Sequence, residues 1–85
     1  MCISNEILKE RFTSSFDTFK TLFNNSNDIV SLEYMYTAFL ETVKEFQKEI
    51  EKSGSKPLLK AFNIQVEEIK TIHAKKWAKV THKEA

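Results

Sequence analysis

IVSLEYMYTAFLETVKEFQKEI, residues 29–50, is the stretch on which the fold turns. Its large apolar residues fall at Ile29, Leu32, Tyr36, Phe39, Val43, Phe46 and Ile50, in alternating steps of three and four. Only a helix gathers that spacing onto one face. The stretch predicts a long helix whose seam the rest of the chain must cover. Its first half is apolar nearly all round, because Val30, Tyr34, Met35 and Leu40 join the seam. That half therefore needs cover from more than one direction. Its second half narrows to a stripe between charged residues, with Glu45–Lys48 and Glu49–Lys52 spaced as i,i+3 pairs.

Working back from Ile29, Asn24 to Asp28 is the one cluster of turn residues. Asn tolerates the left-handed conformation that ends a helix, and Asp28 or Ser31 suits the next N-cap. Before it, Leu8, Phe12, Phe16, Phe19 and Phe23 repeat at helical spacing, with Ile7 and Leu22 on the flanks and Ser4 or Asn5 as the cap. Thr and Ser crowd the opposite side, so this helix depends on docking its Phe row more than on propensity. The short connection makes the two helices antiparallel neighbours.

Working forward, Gly54 suits the position just past a helix end. Ser55 or Lys56 suits the next cap, and Pro57 the first turn after it. Leu58, Leu59, Phe62, Val66, Ile69, Ile72, Trp77 and Val80 then form a third apolar series. Asn63-Ile64-Gln65 reads as punctuation inside it. Asn63 fits a left-handed helix end, and Gln65 with Glu68 and Ile64 with Ile69 fit a capping box and its hydrophobic staple. The expected fold is all-α, a small helical bundle in a single domain, 1–85. It has a long antiparallel hairpin, about 5–24 and 29–52, and a third segment broken near Asn63 into 56–62 and 65–82.

Composition agrees. One Gly and one Pro in 85 residues leave little material for sheets or long loops. So short a chain buries only about 60–65% of its unfolded surface, and ten aromatics, seven of them Phe, compensate with large buried areas. The single Cys2 excludes an internal disulfide and fits a reducing compartment. No run of about 20 apolar residues exists, the N-terminus lacks a basic-then-apolar signal, and residue 2 is not Gly. The expected location is the cytoplasm, of a cell or of a host, with no membrane contact.

Net charge is +1 but unevenly spread: residues 1–69 sum to −3 and residues 70–85 to +4. Lysines near a C-terminus complement the helix dipole and can also meet phosphates.

Leu58 to Ile69 resembles the helix-turn-helix unit of DNA-binding regulators, matching in type at Phe62, Ile64 and Ile69. Asn63 stands where the family has its turn Gly, Leu59 where it usually has Ala, and Gln65 where it usually has Ser. The resemblance implies a DNA-binding regulator using residues 58–80. Gln65 would open the recognition helix, and Lys70, Lys75, Lys76, Lys79 and Lys83 would hold backbone phosphates. Glu67 and Glu68, beside Gln65, oppose this by placing carboxylates against a phosphate-lined groove.

No chemistry-bearing set emerges. His73 and His82 lack a Cys or carboxylate placed to complete a zinc site, and His73 reads as a half-exposed structural residue. One glycine cannot build a phosphate loop, and Cys2 has no evident base. The expectation is a non-enzymatic protein with no cofactor, no metal and no small-molecule substrate. It would act as an inhibitor or adaptor that presents a helical surface to a protein partner or to its own copy. Short Lys- and Asn-rich chains of this kind are common among phage and mobile-element accessory proteins. Trp and Tyr anchor interfaces. Val30, Tyr34 and Trp77 are thus the candidate partner-binding residues. The DNA-binding regulator is the alternative.

Overall fold

A computed structural model describes residues 4–82. It contains three helices: α1 (Asn5–Asn25), α2 (Ile29–Ser53) and α3 (Lys56–His82). Each starts on a cap of the expected chemistry. The Ser4 hydroxyl accepts the Ile7 amide at 3.2 Å. The Asp28 carboxylate accepts the Ser31 amide at 3.1 Å and its hydroxyl at 3.0 Å. The Ser55 hydroxyl accepts the Leu58 amide at 3.3 Å. These side chains satisfy amides that a helix start otherwise leaves unpaired.

The helix ends differ. Gly54 closes α2 in the left-handed region at φ +67°, and its amide returns to the Ile50 and Glu51 carbonyls. α1 departs from expectation. No Asn takes a left-handed turn there; Ser26 ends the helix in extended backbone and donates its amide to the Leu22 carbonyl. Asn27 and Asp28 then lead straight into α2.

The three helices lie side by side around one core, and the Cα trace spans 51 × 19 × 16 Å. Leu8, Phe12, Phe16 and Phe23 of α1 meet Leu32, Phe39 and Ile50 of α2 and Leu58, Phe62, Val66 and Ile69 of α3, all buried. Phe19, Tyr36, Val43 and Phe46 pack against them, partly buried. Burying each large side chain contributes about 1.5–3 kcal/mol.

The break expected near Asn63 does not exist: α3 runs unbroken from Lys56 to His82, and among the described residues none but Gly54 has a positive φ. The reason is a contest that packing wins. Helical Asn costs under about 1 kcal/mol relative to Ala. A break would turn Val66 and Ile69 out of line with Leu58 and Phe62, forfeiting about 1.5–3 kcal/mol for each side chain exposed. The residues assigned to a capping box are engaged on α1 instead. Gln65 Nε2 donates to Thr13 Oγ1 at 2.9 Å, and Lys20 Nζ meets the Glu68 carboxylate at 3.3 Å. Ile64, the supposed staple, is 53% exposed. Of the two expected i,i+3 pairs on α2, only Glu49–Lys52 closes, at 3.8 Å.

Candidate interaction surface

Sequence distance from the Gly54 turn sets which residues of α2 and α3 face each other. Tyr36 and His73 lie almost equally far from it, so the antiparallel pair brings them to the same level. Their rings stack at 4.1 Å with planes 20° apart. Phe23 of α1 meets the same imidazole edge-on at 5.2 Å, and Trp77 lies one turn further along α3 at 5.8 Å. The Phe core thus continues into a partly open aromatic cluster at the end formed by the α1 C-terminus, the α2 N-terminus and the α3 C-terminus.

A groove between α2 and α3 runs over this cluster, lined by Glu33, Tyr36, Thr37, His73, Ala74 and Trp77. His73 Nε2 is buried in the cluster with no hydrogen-bond partner. Burial pushes the imidazole below its ordinary pKa of 6.5, against a weaker upward pull from the Leu32 backbone carbonyl. The ring is therefore neutral at neutral pH, and Glu33 supplies the only charge on the groove lining. Glu33 makes no ion pair among the described residues.

Of the candidate partner-binding residues, Trp77 belongs to this groove, half-buried against His73. Val30 and Tyr34 do not. They sit one turn apart on α2, 70% and 78% exposed. Tyr34 is two residues from buried Leu32, hence about 200° round the helix and turned away from the core. α1 and α3 cover the α2 seam and its Met35 and Leu40 flanks, but among the described residues nothing covers Val30 or Tyr34.

The candidate nucleic-acid residues are dispersed as well. Gln65 is occupied with Thr13, and Lys76 Nζ donates to the Asn24 carbonyl at 2.9 Å. Lys70 is half-buried, whereas Lys75 and Lys79 are exposed one turn apart. Lys83 and Cys2 lie outside the described residues. Because α3 is continuous, the corner that a helix-turn-helix needs between Phe62 and Gln65 is missing.

Sequence reasoning missed the Glu33–Tyr36–His73 grouping. Its signal was present in the equal spacing of Tyr36 and His73 about Gly54. The supposed break at Asn63 hid it by severing the register of α3. Among the described residues no three of His, Cys, Asp and Glu gather as a metal-ligand set, and no helix is long and apolar enough to cross a membrane. Comparison with family models, with curated proteins and with solved structures finds no match to this chain.

Proposed function

We propose that this chain is a non-enzymatic interaction protein, of the inhibitor or adaptor kind, that presents its helical surface to a protein partner or to a second copy of itself. The observation that carries this reading is the exposure of Val30 and Tyr34. A β-branched residue and an aromatic stand together on the outer face of α2, where the fold uses neither. Tyrosine offers a large, stiff contact area, and partner interfaces concentrate their binding energy in such anchors. The test is light scattering together with capture on immobilised protein, for the parent chain and for Tyr34→Ala and Trp77→Ala. Loss of self-association or of a captured partner in either variant supports the reading. Unchanged behaviour in both removes this surface from it.

Lys75 and Lys79, exposed on successive turns of α3, favour a second reading in which the chain contacts nucleic-acid phosphates without a helix-turn-helix. Retention on heparin or duplex DNA should then fall steeply with salt and vanish in a Lys75→Glu, Lys79→Glu variant. Absence of retention at about 50 mM salt excludes it.

A further inference from the structure

The groove between α2 and α3 has a chemical character that the exposed Val30–Tyr34 pair lacks. Its walls present the Tyr36, His73 and Trp77 rings, and its rim holds one carboxylate, Glu33. Thr37 Oγ1 donates to the Glu33 backbone carbonyl, so that hydroxyl is engaged and leaves the carboxylate free. Lys76, next to Trp77 in sequence, is turned to α1 and bound to the Asn24 carbonyl. Aromatic faces carry negative charge density, and Trp is the strongest of them toward cations. Partly exposed rings beside an unpaired carboxylate make a site for a positive, flat group.

We propose that this groove receives the guanidinium of an arginine side chain presented by a partner protein. Charge complementarity selects a cation, because Glu33 is the only charge on the lining. Geometry selects guanidinium over ammonium: its plane can lie against the half-buried Trp77 ring on the groove wall while its fork meets the Glu33 carboxylate. A compact, strongly hydrated lysine ammonium gains less from either contact. This deepens the interaction reading and rests on it, naming the chemistry of the partner.

Trp77 is the only tryptophan of the chain, so its fluorescence reports the groove directly. The test titrates the full chain with a capped arginine tripeptide and with its citrulline counterpart, which has the same shape without the charge. The expected result is a saturable change in Trp77 emission with arginine, little with citrulline, and a weaker response with lysine. Glu33→Gln should weaken arginine binding about five-fold, the scale of an exposed ion pair. Glu10→Gln, on α1 and away from the groove, should leave it unchanged. No saturable response, an equal response to citrulline, or indifference to Glu33→Gln each overturns the proposal. None of those outcomes bears on the Val30–Tyr34 surface, which light scattering with Tyr34→Ala decides separately.

Discussion

Phe16 has no exposed surface and meets Phe12, Phe39, Phe46 and Phe62 at centroid distances between 5.4 and 6.3 Å. It joins all three helices, so truncation leaves a cavity that no single helix can close. Phe16→Ala should cost about 3–5 kcal/mol in urea unfolding, a large share of the 5–15 kcal/mol typical of a domain. His73 makes a prediction of a different kind. Its folded pKa lies below the ordinary 6.5 because the ring is buried, so the unfolded chain binds the proton more readily as the solution is acidified. The stability linked to this neutral ring is complete above the unfolded pKa and is lost as pH falls through the folded one. Thermal midpoints should therefore fall between about pH 7 and 5, and His73→Phe should flatten that slope, with His82 left in place in both proteins as the internal control. An identical slope in the variant would refute the assignment. The core role of Phe16 was legible from its spacing alone. The half-exposed setting of His73 was legible too, but its stacking on Tyr36 was not, because that depends on two helices sharing a register.

At the scale of elements, helix starts were the most readable features. Ser4, Asp28 and Ser55 all cap as their chemistry suggests, since an oxygen-bearing side chain before an apolar series has a local task that tertiary contacts rarely override. Gly54 likewise takes its left-handed turn, and a Cβ there would meet nothing within 4 Å. Gly54→Ala should then cost only the backbone penalty of a left-handed residue, about 1 kcal/mol. Asn63 was misread for a reason of the same physical kind. Its neighbours imitate a cap locally, but the local gain is smaller than the burial that a continuous stripe from Leu58 to Ile69 provides. Asn63→Ala separates the two arrangements by sign. In an unbroken helix it should stabilise by about 0.5 kcal/mol through propensity. At a left-handed turn Ala would destabilise by about 1 kcal/mol. Denaturant midpoints of the two proteins decide it.

For the whole molecule, the question is which surface the fold can spare. Among the described residues Ile7, Leu22, Val30, Tyr34 and Ile64 are the exposed large apolar ones, and they are distributed over all three helices. Single exposed apolar residues are ordinary on protein surfaces and need no partner to explain them. Val30 and Tyr34 stand apart by lying on successive turns of one face at 70% and 78% exposure, whereas Ile7 and Leu22 are 47% and 41% exposed. The sequence put both residues in the apolar first half of α2, which needs cover from a second direction. It could not place them relative to Trp77, because their angular positions matter only once α3 has docked. If the fold does not need this pair, removing it should leave folding unaltered while changing association. A Val30→Ser, Tyr34→Ser double variant should unfold within about 0.5 kcal/mol of the parent, as surface substitutions do. Its sedimentation or light-scattering mass should differ wherever the parent self-associates, or its capture of a partner should fail. A loss of several kcal/mol would instead mean that the pair supports the α2 helix itself, and the claim that this face is free to bind would collapse with it.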